Sequence, residues 1–336
     1  MRPDPDLELS TRALNQLVAH NEGDLTAVLQ AGLAMEDAQA AFAEHGQRLS
    51  LDPPNPGGQA TVGGIVATAD SGPLRHRFGA VRDLVLGVRI ALPDGTVARA
   101  GSNVIKNVAG YDLGKLMCGA FGTLGVVTEV TVRLHPLPAR TVTVTARGGD
   151  LRTLCDAAAD VAALPLELEA LDLRWDGPDA GGAVLASAAG SAPAEVAAAA
   201  ASVATARGLD VDIATDGDFT WTEQRERQRA RPGEAVLRVS ALPSALVDVL
   251  GAAPSGVARA GLGLAWLRIP ADVELVRRLR VDLAPAPCVL LDAPLALKSG
   301  IDPWGAAGPA VELARRVKQR FDPARVCNPG ILVGGI

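Results

Sequence analysis

Apolar residues recur along this chain in two rhythms, one of period two and one of helical period, and the rhythm changes several times. Across residues 7–44, short alternating apolar stretches lead into LTAVLQAG and then MEDAQAAFAEHG. In the latter, Met35, Ala38, Ala41 and Phe42 fall at helical spacing and Gly46 offers a left-handed cap, so the expected order is strand, turn, strand, helix. Two β-patterned runs within residues 84–97 flank Pro93-Asp94-Gly95, where Asp-Gly supplies the positive φ angles of a tight turn; one antiparallel hairpin is expected. Residues 126–134 (VVTEVTVRL) alternate as a third strand and stop before Pro136 and Pro138, which cannot continue a central strand.

A domain boundary is expected at that point. Beyond it, strands over 141–147, 166–175, 235–241 and 262–269 are interleaved with helices over 151–164, 194–207 and 273–279, an order that predicts an α+β domain. The expected division is a first domain over 1–138, a second over 139–309, and a C-terminal helix and tail over 310–336 that return to the first. The helix expected over 310–321 carries Arg315, Arg316, Lys318 and Arg320, read as solvated charges favouring the dipole at a helix C-terminus.

At 336 residues and 48% hydrophobic content the chain can bury a full core and accommodate two domains. A net charge of -6 without a dense basic block argues against an extended nucleic-acid surface. The opening MRPDPDLELSTRAL has no apolar stretch after its early charges, so it does not read as a secretory signal. No apolar run reaches the roughly 18 to 20 residues of a membrane helix. A cytoplasmic protein is expected. Cys118, Cys155, Cys288 and Cys327 form no C-x-x-C pair and read as ordinary buried thiols, which would place any electron-carrying cluster on another chain.

Two stretches stand out as candidate chemistry. The first, Thr61-Val62-Gly63-Gly64-Ile65-Val66-Ala67-Thr68 ending at Ser71-Gly72, follows a proline- and glycine-rich segment over 52–60. Paired glycines let a backbone approach a flat ring or a phosphate, and a helix starting there would offer unpaired N–H donors; a simple turn is the competing reading. The second runs from Lys106-Asn107 through Gly110-Tyr111, then a short helix, to Gly119-Ala120-Phe121-Gly122-Thr123-Leu124-Gly125-Val126-Val127. Three glycines just before a strand suggest backbone facing a ligand, whereas Tyr111 reads equally as a core or interface residue. Neither stretch has G-x-G-x-x-G spacing after a first strand, and there is no G-x-x-x-x-G-K-[ST] loop, which disfavours nicotinamide and nucleoside triphosphates.

In order, DPPNPGGQATVGGIVATADSG, GAVRDLVLGV and KNVAGYDLGKLMCGAFGTLGVVTEVTVRLHPLP resemble the PCMH-type flavin domain of vanillyl-alcohol-oxidase enzymes. WTEQRERQ, AVLRVSALPSAL, GLAWLRIP and FDPARVCNPG narrow the resemblance to FAD-binding subunits of glycolate oxidase. It covers residues 7–330. The resemblance implies an α+β architecture, a PCMH-type FAD-binding domain followed by an α+β cap domain with an antiparallel sheet, and FAD as cofactor. It places Thr61, Gly63, Gly64, Ala67 and Ser71 near the flavin, Gly122, Thr123, Gly125 and Val127 near the ribose and adenine, and Lys106, Asn107, Gly110 and Tyr111 close to the cofactor. The implied reaction takes a hydride from C2 of a small 2-hydroxy acid to the flavin and on to an iron-sulfur subunit. The implied partners are that subunit and a sister FAD subunit, with any membrane association peripheral and through the complex.

Family members carry a P-R-G-G-G-T-type loop ahead of the equivalent of Leu7, and this sequence begins after it. Charge-assisted hydrogen bonds from such a loop to the FAD diphosphate are worth about 1.5 to 3 kcal/mol each, so an N-terminally incomplete flavin domain with weakened binding is expected. That loop is also where some relatives attach flavin covalently through histidine. The 2-hydroxy-acid dehydrogenases have an H-x-G-D-G-N stretch in the cap, whereas residues 136–336 here contain no histidine, so the usual general base is absent. The sister flavin subunit is then expected to oxidise glycolate while this chain relays electrons or stabilises the complex. His20, His45, His76 and His135 read as structural or surface residues, with no pair at metal-ligand spacing and no metal expected. Arg225, Arg227, Arg229 and Arg231 could meet a carboxylate, but read better as a solvated face paired with Glu223 and Glu226. The competing functions are a flavin-free accessory subunit and a stand-alone FAD-linked oxidase of lactate or a sugar acid.

Overall fold

The computed structural model describes residues 5–102, 112–215 and 218–336; Lys106, Asn107, Gly110 and Tyr111 lie outside the described residues. The chain folds as two units. One comprises Met1–Ser71, Phe78–Leu137 and Ala306–Ile336; the other comprises Gly72–Arg77 and Pro138–Gly305.

The strands of the first unit are β1 (Leu17–Asn21), β2 (Thr26–Gln30), β3 (Gln47–Arg48), β4 (Val85–Ala91), β5 (Val97–Gly101), β6 (Val126–Arg133) and β7 (His135–Pro136). Five of them form an antiparallel sheet in the order β1-β2-β6-β4-β5, and β3 pairs with β7. The helix Met35–Ala43 forms as its pattern predicts: Met35, Ala38 and Phe42 are buried, and Gly46 follows at φ 65°. Leu29, Leu49, Ile90, Met117 and Leu134 join Phe42 in one core. The 85–101 hairpin is present, but its turn differs from expectation. Gly95 has a φ of 83° while Asp94 is not left-handed; Pro93, the turn's first central residue, is locked at negative φ and so excludes the primed turns, which need positive φ there. The Gly95 N–H closes onto the Leu92 carbonyl at 3.0 Å, and Asp94 Oδ1 accepts from the Thr96 N–H at 2.9 Å.

The second unit contains β8 (Thr141–Gly148), β9 (Leu168–Trp175), β10 (Gly182–Ala189), β11 (Asp210–Thr215), β12 (Glu234–Ser240), β13 (Ser255–Arg259), β14 (Leu264–Pro270) and β15 (Cys288–Asp292). All eight lie in one antiparallel sheet, ordered β11-β8-β10-β9-β13-β14-β12-β15. With the helices Leu151–Ala163 and Pro193–Ala206, the first four strands make a β-α-β-β-α-β unit; Leu246–Gly251 and Val273–Asp282 complete a second one with the other four. Each half orders its strands fourth, first, third, second, and the halves meet where β9 pairs with β13. The alanine-rich stretch is one of the packed helices: Ala197, Ala200, Ala201 and Ala204 are buried, and their small side chains allow close approach to β8 and β10. Leu154, Ala157 and Val161 do the same from Leu151–Ala163, whose N-cap Asp150 accepts from the Thr153 N–H at 2.8 Å.

Candidate cofactor site

The first candidate stretch is built against the end of β2. Met35 N–H donates to the Ala60 carbonyl (2.9 Å), Val62 N–H to Leu33 (2.9 Å) and Gly63 N–H to Ala31 (2.7 Å), so residues 60–63 run as an added edge. A helix, Val62–Thr68, follows directly, with Thr61 Oγ1 accepting from the Gly64 N–H at 3.2 Å. The first-turn donors of this helix are therefore satisfied within the protein. The expectation of unpaired N–H groups there is corrected: the neighbouring strand end and the Thr61 cap take them. Gly63 owes its identity to packing, since a Cβ on it would lie 2.5 Å from Ala31 Cβ and 2.8 Å from the Ala31 carbonyl oxygen. Gly64 differs. It is exposed, and its missing Cβ faces space into which, among the described residues beyond its own helix and chain neighbours, only Thr61 Oγ1 reaches, at 3.1 Å. Gly64, Ala67 and Thr68 share a helix face at i, i+3 and i+4.

The second stretch is stitched to the C-terminal end of the same helix. Gly119 N–H donates to the Val66 carbonyl at 3.0 Å and Phe121 N–H to the Ala67 carbonyl at 2.8 Å. Phe121 and Gly122 have φ values of 51° and 67°, a left-handed pair that is strained at phenylalanine and natural at glycine. Both glycine-bearing stretches thus belong to one surface of the first unit, bringing together Thr61, Gly64, Ala67 and Gly122 of the sequence-derived set. Thr123 and Gly125 are buried beneath it: Thr123 Oγ1 donates to the Ala120 carbonyl at 2.7 Å, and a Cβ on Gly125 would lie 2.9 Å from the Ala91 carbonyl. Val127 sits on β6 opposite Ile90, packed against the core. Ser71 is buried where the first unit gives way to the second, its N–H donating to Asp70 Oδ1 at 3.0 Å. Exposed main chain at Gly64, beside Ala67 and Thr68 on one helix face, suits a flat ring system or a dinucleotide, so these residues fit FAD; at Gly122 the space a Cβ would take is held by Asn328 Nδ2 at 2.9 Å.

What holds the 119–125 loop is the C-terminal helix, Val311–Phe321, and the turn after it. Lys318 is buried, and its Nζ donates to the Thr123 carbonyl (2.6 Å), the Cys327 carbonyl (2.7 Å) and Asp322 Oδ2 (2.6 Å). This corrects the reading of Lys318 as a solvated charge: three acceptors converge on it and meet all three of its N–H groups. Asn328 Nδ2 donates to the Phe121 carbonyl at 2.7 Å. Desolvation alone would raise the Asp322 carboxyl, but Lys318 and the Cys327 and Val326 N–H groups hold it below the ordinary carboxylate range. Because the folded-state value is lowered, this stabilisation is complete above about pH 4, the range of an unfolded aspartate, and is lost as pH falls through the folded value. Acid unfolding curves should show that loss, and Asp322→Asn should flatten it.

In the second unit, WTEQRERQ places its apolar and amide residues inward. Trp221, Gln224 and Gln228 are buried at i, i+3 and i+7, on the sheet face opposite the helix-packed core. Trp221 Nε1 donates to Thr143 Oγ1 (2.9 Å) and Gln224 Nε2 to Asp172 Oδ2 (2.9 Å). Asp172 and Arg259, each fully buried, pair across the β9–β13 seam at 2.6 Å, and the Arg259 guanidinium lies 4.6 Å from the Trp266 ring centroid. Burial pushes the Asp172 carboxyl up, with Arg259 and Gln224 pulling the other way. Of the four arginines, Arg227 is only 16% exposed and ion-paired with Asp176 and Glu223, so it is not on a solvated face; Glu223 is its partner as expected. Sequence reading of this segment followed the charges, whereas the helical spacing of Trp221, Gln224 and Gln228 was the signal for the inward face.

Burial raises all four thiols, Cys118 to about 12 and Cys155 to about 11, although only Cys288 is fully buried. Burial, and then Arg77, lowers the His76 imidazole. Contrary to expectation, His20 and His45 do come together: with Glu22 they offer ligand atoms within 4.8 Å of one another. Their separation in the sequence concealed this. Among the described residues no helix is long and apolar enough to cross a membrane.

Residues 3–101 match the FAD binding domain family. The chain is 41% identical over 137 residues to glycolate oxidase subunit GlcE of Escherichia coli (strain K12), covering 41% of this chain and 39% of that protein. It is 36% identical over 172 residues to glycolate oxidase subunit GlcD of Bacillus subtilis (strain 168), covering 49% and 36%. Against D-lactate dehydrogenase (cytochrome) 1, mitochondrial, of Saccharomyces cerevisiae (strain ATCC 204508 / S288c), it is 36% identical over 167 residues, covering 48% and 27%. The matches thus span 27–39% of these relatives' lengths. A solved structure of alkyldihydroxyacetonephosphate synthase superposes with a TM-score of 0.68 over 96% of this chain and 67% of that one at 14% identity, a likeness of fold. The α+β fold with antiparallel sheets is as expected, and the match to the FAD binding domain spans residues 3–101.

Proposed function

We propose that this chain is an FAD-binding subunit of a 2-hydroxy-acid-oxidising complex of the glycolate oxidase kind. The observation that carries the reading is the pair of hydrogen bonds from Gly119 and Phe121 to the Val66 and Ala67 carbonyls, which joins the second glycine-bearing stretch to the first, itself within the residues 3–101 matched to FAD binding. Bound there, the flavin supplies two-electron oxidation of a carbon bearing a hydroxyl group. The chain's own part is to hold it: Gly64 and Ala67 leave room for a planar group, Thr61 fixes the helix start, and Lys318, Asp322 and Asn328 keep the loop in place. Thr61, Gly63, Gly64, Ala67, Ser71, Lys106, Asn107, Gly110, Tyr111, Gly122, Thr123, Gly125 and Val127 make up the proposed cofactor-binding set, in which Gly63, Thr123 and Gly125 serve as buried support. With no histidine after residue 135, proton abstraction from the substrate hydroxyl falls to a sister FAD subunit, and an iron-sulfur subunit takes the electrons, in the cytoplasm. Purified protein should show flavin absorption with extractable FAD, and glycolate or D-lactate should bleach it anaerobically only when the sister subunit is present. A folded, colourless protein would support the second reading, a flavin-free accessory subunit, which the internally satisfied donors of Val62–Thr68 favour.

Two glycine substitutions separate packing from cofactor contact. Gly63→Ala should destabilise the fold by about 1–3 kcal/mol through overpacking against Ala31. Gly64→Ala should leave thermal stability unchanged or raise it by up to about 1 kcal/mol, from helix propensity, while lowering the bound FAD fraction. Equal FAD content in Gly64→Ala and wild type would remove Gly64 from the cofactor surface.

A further inference from the structure

His20 ends near the turn of the β1–β2 hairpin, Glu22 opens that turn, and His45 follows the helix Met35–Ala43 just before β3. Three local elements therefore deliver two imidazoles and a carboxylate to one place on the first unit, with one ligand atom from each residue within 4.8 Å of the others. His45 Nδ1 and Glu22 Oε1 are already 3.0 Å apart, and both side chains are open to solvent. The rings of His20 and His45 meet edge to face at 5.0 Å, and Phe42 backs His20 at 5.2 Å.

The tautomer of His20 can be worked out from its neighbour. Gln47 is buried; its Nε2 donates to the Glu22 carbonyl at 2.9 Å, so its Oε1 is the atom facing His20 Nε2 at 3.0 Å. A carboxamide oxygen only accepts, which places the His20 proton on Nε2 and the lone pair on Nδ1. That is the arrangement in which metal-ligating histidines are found, one ring nitrogen anchored by an acceptor and the other unprotonated. Gln47 is itself tied to the main chain of the residue that supplies the carboxylate, so one side chain holds the His20 ring beside the Glu22 backbone.

We propose that His20, Glu22 and His45 form a binding site for a divalent transition-metal ion of the zinc class, held by two imidazoles and one carboxylate with a fourth position open to water. Imidazole with carboxylate suits Zn²⁺ and its neighbours rather than Mg²⁺ or Ca²⁺, and three protein ligands plus water is a common tetrahedral set. Tetrahedral bonds of about 2.0–2.1 Å require ligand atoms about 3.3 Å apart. The His45–Glu22 pair meets that spacing, and closing the remainder takes side-chain rotation, which exposure of Glu22 and His45 permits. None of the three residues belongs to the glycine-bearing stretches, and the site does not depend on the chain binding flavin.

The test uses the full chain with Zn²⁺ and Co²⁺ as probes. Calorimetric titration should give one Zn²⁺ per chain, with affinity reduced at least 100-fold in His45→Gln and in Glu22→Gln, both surface changes whose unaltered melting temperatures will show an intact fold. Co²⁺ should give the visible bands of a nitrogen and oxygen site without thiolate charge transfer. Absence of binding, wild-type affinity in either variant, or a thiolate band pointing to one of the four cysteines would each overturn the assignment.

Discussion

Replacing Lys318 with methionine is expected to destabilise the first unit by about 3–5 kcal/mol, the cost of removing one partner of a buried pair. Three acceptors lose their donor at once: Asp322 Oδ2 and the carbonyls of Thr123 and Cys327. The side-chain length is kept, so the loss is electrostatic and not a cavity. Because the Thr123 carbonyl belongs to the loop that carries Phe121 and Gly122, flavin content should fall with stability. Lys318→Met, read by denaturant unfolding and extracted FAD, distinguishes this buried clamp from a surface lysine, for which a change within about 0.5 kcal/mol would be seen.

An effect of the same size is expected at the centre of the second unit. Asp172→Asn leaves the Arg259 guanidinium buried without its counter-charge, and Arg259→Leu leaves Asp172 in the same condition; each should cost about 3–5 kcal/mol. The double variant, Asp172→Leu with Arg259→Leu, should recover much of that loss, since a buried ion pair is often replaceable by packed apolar side chains. Additive losses in the double variant would show that the two residues act separately despite their 2.6 Å contact.

Period-two and helical patterns made the periodic elements legible: the helix Met35–Ala43, the β4–β5 hairpin, β6, and much of the second unit. Elements whose residues lack that contrast were not. β10 reads GAVLASAA, alanine-rich and without alternation because both faces are buried, and β11 reads DVDIAT, an edge strand with most side chains in water. The glycine-bearing stretches stand out in the sequence as a candidate site, but the sequence could not apportion the glycines between packing and ligand. Gly63 and Gly64 are adjacent and chemically identical, and only the position of Ala31 tells them apart. Lys318 was hidden for a related reason: its neighbours Arg315, Arg316 and Arg320 carry the same charge on the same helix, and its burial depends on a loop nearly two hundred residues upstream.

The doubled β-α-β-β-α-β pattern of the second unit resembles a homodimer fused into one polypeptide. The same strand from each half meets its counterpart antiparallel, so the joint is isologous and closes on itself without offering a surface for further copies. Slipping that joint by one residue would turn Asp172 and Arg259 to opposite faces, stranding both charges, so the pair acts as a registration pin for the two halves. What stays open to strand addition is the outer rim, and there β11 presents Asp210 and Asp212, whose like charges discourage a stray strand from docking.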